Sequence, residues 1–224
     1  MGIFMYADDL ILLSASVDNL QKMVNLCVCE LSNLDLKINV KKSNCIRICK
    51  NFKQFCSNIL VEGTVIIWSS CLTYLGVSIK SCTKFTIDLK PARSKFYRAF
   101  NSVYSKISKA DESLIVSLIN IFCVPIIMYS LEVLDLNVTL LNKLDEPMYN
   151  SFSKVFKSYD RNTIRSCMFY MGVLPLRYEY FCRKMRFFNN LHKNKNVLFS
   201  SLSAIFGQDD VLNTCIQFKI NFGM

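Results

Sequence analysis

Glycine and proline are scarce in this 224-residue chain, at 6 and 4 residues, and it holds a single histidine, His192. The shortage of glycine and proline excludes collagen-like repeats and low-complexity architecture. One histidine also leaves few options for zinc. One residue separates Cys27 from Cys29 and three separate Cys45 from Cys49, but no second pair at zinc-ribbon spacing follows. The cysteines number 11, an odd count, and several (Cys27, Cys123, Cys167) fall on apolar faces. Buried free thiols in a reducing compartment are therefore expected, which points to an intracellular protein of cytoplasm or nucleus. A basic leader is missing too, with Asp8 and Asp9 near the start, and Tyr6 stands where a myristoylation pattern wants Ser or Thr.

Acidic residues are in deficit. There are 17 Asp+Glu against 27 Lys+Arg, a net charge of +10, and 52% of residues are hydrophobic. That hydrophobicity excludes a disordered chain. One uncharged stretch, Leu114 to Leu131, spans 18 residues and just reaches bilayer length. Ser113, Ser117 and Asn120 form a polar stripe along it and Pro125 interrupts it, so a core helix is expected and no membrane contact.

Ile3–Tyr6 and Leu10–Ser14 are apolar runs separated by Ala7-Asp8-Asp9, the pattern of a buried hairpin with an acidic tip. Asp18 and Gln21 have capping-box spacing, and Leu20, Met23, Val24, Cys27, Leu31 and Leu34 then recur with helical period. Strands are expected over 36–40, 45–49 and 72–79. A hairpin across Glu62-Gly63 joins Ile59–Val61 to Thr64–Trp68. From Pro91 the period is helical, with Phe96, Phe100, Val103 and Ile107 on one face and Arg93, Lys95, Arg98, Lys106 and Lys109 mostly off it. Further helices are expected over 112–134, 140–157 (broken at Pro147) and 177–192. The element order is α+β. The first 90 residues carry a net charge of +3 and the remainder +7, so a basic helical half follows a strand-rich one.

Two adjacent carboxylates between apolar strands repel each other unless a cation or hydrogen-bond donors compensate. Oxygen-only ligands suit a hard ion such as Mg²⁺. By itself the pair reads either as a metal site or as a plain acidic turn. Tyr6-Ala7-Asp8-Asp9, then Leu36-Lys37-Ile38-Asn39-Val40-Lys41-Lys42-Ser43, then Tyr74-Leu75-Gly76-Val77, resembles the ordered motifs of reverse transcriptases, most closely those of non-LTR retrotransposons. Pro125, Tyr129 and Glu132 continue the likeness into the family's thumb pattern, where Ser130 and Leu134 replace the usual glycine and tryptophan.

The resemblance implies the C-terminal part of a polymerase palm over 1–85, a helical thumb over 86–200 and a tail over 201–224. It also implies an RNA template, a DNA primer, and Mg²⁺ or Mn²⁺. Asp8 would help hold the metals and Asp9 would support the site. Tyr6 and Ala7 would lie under the primer end. Lys42 would protonate the leaving pyrophosphate, with Lys41 the competing assignment. Tyr74, Leu75 and Gly76 would grip the primer, and Arg93, Lys95 and Arg98 would face nucleic acid. The family's other catalytic aspartate and its fingers have no counterpart in this sequence, so the expectation is a polymerase part whose own active site is incomplete. A non-catalytic nucleic-acid binder built on the helical half is the main alternative, and a membrane-associated helical protein a lesser one.

Overall fold

The computed structural model describes residues 1–193, and the chain divides between Asp88 and Leu89 into two compact units, each described by itself. The expected tail over 201–224, and the end of the helical half beyond residue 193, lie outside the described residues.

The first unit holds strands β1 (Gly2–Tyr6) and β2 (Asp9–Leu13), helix α1 (Val17–Ser32), then β3 (Asn44–Cys45), β4 (Ile59–Val61), β5 (Thr64–Trp68), β6 (Cys71–Tyr74) and β7 (Val77–Lys80). They make three small sheets: β1-β2, β3-β5-β4 and β6-β7. Only the β3–β5 pairing is parallel.

Helix α1 starts on Ser16, whose hydroxyl accepts the Asn19 N–H at 3.3 Å. Asp18, the expected cap, sits instead in the first turn, where its charge favours the positive end of the helix dipole. The inward face of α1 covers the central sheet as expected, except that the helix ends at Ser32 and Leu34 lies exposed beyond it. Val24 joins Ile59, Val61 and Ile66 in a small core that Leu12, Val17, Leu20 and Val28 surround. Gln21 adds a polar clamp: its amide donates to the Leu60 carbonyl at 2.7 Å and accepts the Leu60 N–H at 2.8 Å. One side chain thereby does for the outer edge of β4 what a neighbouring strand would do.

The strand expected over 36–40 does not form. Asn39 accepts the Lys42 N–H on its side-chain oxygen at 3.2 Å, and its carbonyl takes the Ser43 N–H at 3.0 Å. This local turn competes with extended pairing. Ile38 and Val40 still pack on the core, so the apolar alternation is used without a ladder. The strand expected over 45–49 shrinks to Asn44–Cys45 plus one bridge from Ile48 to Cys82. The run 72–79 is two strands, folded at Leu75-Gly76.

The second unit is helical: α2 (Lys90–Ile107), α3 (Glu112–Phe122), α4 (Val124–Met128), a 3₁₀ turn (Leu131–Val133), α5 (Val138–Val155), α6 (Arg161–Tyr170) and α7 (Leu176–Lys193). The uncharged run expected as one helix is broken at Cys123, because Pro125 fits only the first turn of a new helix. No helix among the described residues is long and apolar enough to cross a membrane. Ile115, Ile119, Cys123, Ile127 and Met128 from this run are buried in the core.

Pro147, in contrast, does not break α5. A proline inside a helix costs about 3 kcal/mol, yet Leu141, Leu144, Met148, Phe152 and Val155 on the same helix are all buried. At about 1.5–3 kcal/mol for each such side chain, burial outweighs the proline.

Helices α2 and α5 lie side by side through three polar rungs. Arg93 pairs with Glu146, Asn150 donates to the Tyr97 hydroxyl at 2.8 Å, and Lys154 reaches Asn101 at 3.4 Å, each across 53 residues of sequence. A constant offset with four-residue steps means that the two helices run parallel. The Lys154 ammonium also lies 4.8 Å from the Tyr104 ring centre. At the far side of α5, the buried carboxylate of Asp145 accepts the Arg177 main-chain N–H at 2.9 Å and its guanidinium as well, which pins the start of α7.

All ten cysteines of the described residues are free thiols. Burial pushes the Cys123 thiol up to about 11; burial, with a smaller effect of nearby Cys56, does the same for Cys45. Neither forms a thiolate at neutral pH, as suits packing residues.

Candidate functional site

The acidic tip lies on the β1–β2 hairpin, where Tyr6 pairs with Asp9 across the two-residue turn Ala7-Asp8. Ala7 has φ +52°, a left-handed conformation that an alanine adopts at a cost of about 1 kcal/mol. Strain of this kind clusters at functional turns. Asp8 and Asp9 are both exposed, and their carboxylates take no hydrogen bond or ion pair among the described residues. No group of three or more His, Cys, Asp and Glu side chains suited to a metal occurs there either. The pair fits an ion held by one or two carboxylates with water and phosphate completing its shell, as Mg²⁺ often is. It does not by itself supply carboxylates from two directions.

The other expected residues lie on separate elements. Lys41 and Lys42 are exposed in the turn that Asn39 organises ahead of β3. Tyr74 closes β6, and Leu75 and Gly76 form the β6–β7 turn with φ +45° and +82°. Positive φ at both central residues defines the tight hairpin turn that matches strand twist, so Gly76 serves a turn and marks no bulge. No hydrogen bond or ion pair among the described residues joins the acidic tip, the lysine turn and the β6–β7 turn.

In the second unit, α2 carries no acidic residue at all. Arg93 is tied inward to Glu146, which leaves Lys95 and Arg98 as its solvent-facing partners from the expected set. At 100° per residue, Lys95, Arg98 and Lys106 fall within an arc of about 80°. All three are exposed and none has a carboxylate partner among the described residues. Exposed Lys109 follows just past the helix end. The stripe faces away from buried Phe96 and Phe100. Lys106 belongs to this surface as fully as Lys95, and its position eleven residues on, three helical turns, was the signal for it.

Beyond α4, Ser130 has φ +58° and leads into the 3₁₀ turn, where Glu132 keeps one carboxylate oxygen buried without a partner. Left-handed backbone favours glycine. Ser130→Gly is expected to raise stability by about 1 kcal/mol in urea unfolding; a loss of stability would show that the serine side chain contributes more than the strain it imposes.

No protein-family model, curated protein or solved structure matches this chain.

Proposed function

We propose that the chain carries part of the palm and the thumb of a template-directed nucleic-acid polymerase. The type it resembles is the RNA-directed DNA polymerase of non-LTR retrotransposons. The observation that carries this reading is the strained, unpaired Asp8-Asp9 tip on an apolar hairpin. Two others support it: the tight turn at Leu75-Gly76, and left-handed backbone at Ser130, the position where the resembling family has glycine.

In this reading Asp8 and Asp9 would hold Mg²⁺, or Mn²⁺. The metal supplies activation of the primer hydroxyl and charge stabilisation at the phosphate under attack. Tyr6 and Ala7 support the primer end, and Tyr74, Leu75 and Gly76 hold its backbone. Lys42, with Lys41 beside it, is placed on an exposed turn from which an ammonium can give a proton to pyrophosphate. Lys95 and Arg98 meet the backbone of the template–primer duplex. The described residues do not complete a two-metal site, so catalysis requires a further carboxylate and a nucleotide-binding element from elsewhere.

The test is binding of an RNA template annealed to a DNA primer, with and without Mg²⁺. Wild-type affinity is expected to rise with Mg²⁺, and the joint variant Asp8→Ala, Asp9→Ala to lose that increment while binding better than wild type without metal. An unchanged Mg²⁺ increment in the variant would overturn the assignment. In primer extension the chain alone is expected to give no product; robust synthesis lost in Asp8→Ala would instead show a complete site.

The basic stripe of α2 favours a second reading, a nucleic-acid binder without catalysis. It predicts the same salt-dependent affinity but no Mg²⁺ increment.

A further inference from the structure

The two edges described in the first unit are treated differently. The outer edge of β4 is closed by the Gln21 amide, whereas β1 has a paired side toward β2 and, among the described residues, a bare one. Proteins guard such edges with charge, proline or a covering element. The segment Gly2-Ile3-Phe4-Met5-Tyr6 has neither charge nor proline, and no covering element among the described residues. Its side chains are also bare: Ile3 is 56% exposed, Phe4 58%, Met5 74% and Tyr6 64%.

We propose that this edge is a self-association surface, on which β1 of a second copy pairs antiparallel about a two-fold axis at Phe4. The backbone sets the register. Tyr6 and Asp9 close a two-residue turn, so Tyr6, Phe4 and Gly2 direct their N–H and C=O groups to β2. Ile3 and Met5 direct theirs outward. A two-fold at Phe4 places Ile3 of one copy against Met5 of the other, and both pairs exchange two hydrogen bonds. Phe4 then meets Phe4 at the close, non-hydrogen-bonded spacing, and Tyr6 of each copy lies opposite Gly2 of the other, over which the Phe4 ring already folds.

Charge selects this direction. A parallel pairing would stack the Asp8-Asp9 tips of the two copies. The antiparallel one separates them by about 27 Å at 3.4 Å per residue, well beyond the roughly 8 Å Debye length at physiological salt. Area sets the strength. At roughly 200 Å² per large side chain, the four exposed residues offer on the order of 500 Å² per copy, against about 800 Å² in a standard interface. A weak, reversible dimer is the expected result; it rests on the β1 edge and on the charge of the tip, and not on any metal held there.

Sedimentation equilibrium of the full chain tests it. Wild type is expected to show a monomer–dimer equilibrium. Phe4→Lys and Phe4→Glu, each of which sets like charges face to face, are each expected to weaken it at least about tenfold. An equimolar mixture of the two variants is expected to dimerise again, because lysine then faces glutamate. Circular dichroism checks that both variants keep the wild-type fold, as an exposed position allows. A monomeric wild type, as when a different strand owns this edge, would overturn the proposal, and so would dimerisation undiminished in both variants or no recovery in the mixture.

Discussion

Replacing Lys95, Arg98, Lys106 and Lys109 together by glutamine should cut affinity for a template–primer duplex on the order of 10²- to 10³-fold at 0.15 M salt. Each phosphate left without a cationic partner lowers the slope of log affinity against log salt by about 0.9, so four lower it by up to about 3.6. That slope is the decisive readout, because it counts released ions and is blind to other interactions. A variant that binds more weakly with an unchanged slope would place the interface elsewhere. Arg93 serves as the internal control. Its side chain is 24% exposed and its guanidinium is bonded to Glu146, so Arg93→Gln should loosen the α2–α5 pairing and leave the slope nearly unaltered.

Phe152→Ala should cost about 3–5 kcal/mol, much of the 5–15 kcal/mol available to a whole domain. Phe152 is fully buried on α5, the helix that packs against α2, α3, α6 and α7, and its ring centre lies 5.7 Å from that of Phe156. A cavity there loosens the helix that joins the four others. Thermal unfolding followed by circular dichroism should show a fall of about 10 °C or more. Tyr159→Ala, at a side chain that is 93% exposed, should stay within about 0.5 kcal/mol of wild type. A Phe152→Ala protein as stable as the Tyr159→Ala one would mean that the α5 core is not packed as described.

The hairpin over Ile59–Val61 and Thr64–Trp68 was legible because two short apolar, β-branched runs flank a Glu62-Gly63 turn, and nothing else competes. The acidic tip was legible as a short polar turn between two apolar runs, but the hairpin expected to be buried is largely exposed, because no second layer covers β1 among the described residues. Asn39 shows how such patterns mislead: Leu36 to Val40 alternates like a strand, but the Asn39 side-chain oxygen accepts the Lys42 N–H three residues on and holds a local turn. Pro147 misleads in the opposite sense, since a breaker reads strongly in sequence while the burial that overrides it comes from distant helices. Helix α6 was missed because only Ile164 and Met168 mark its inward face, although Asp160, which caps Thr163, offered a start signal. At the site, residue types were readable and partnership was not. Nothing in Arg93 itself distinguishes it from Lys95; only the rung to Glu146 does.

The 53-residue offset between α2 and α5 also governs the order of events during synthesis. Every rung closes a long loop, so this pairing gains nothing from local contacts and forms late. At ribosomal rates of about 5–20 residues per second, α5 emerges roughly 3 to 10 s after the α2 residues that it joins. Through that interval α3 and α4, which also pack on α2, are the first cover available to Phe96 and Phe100. The nascent chain thus relies on its most apolar segment to shield α2 until the polar ladder can close.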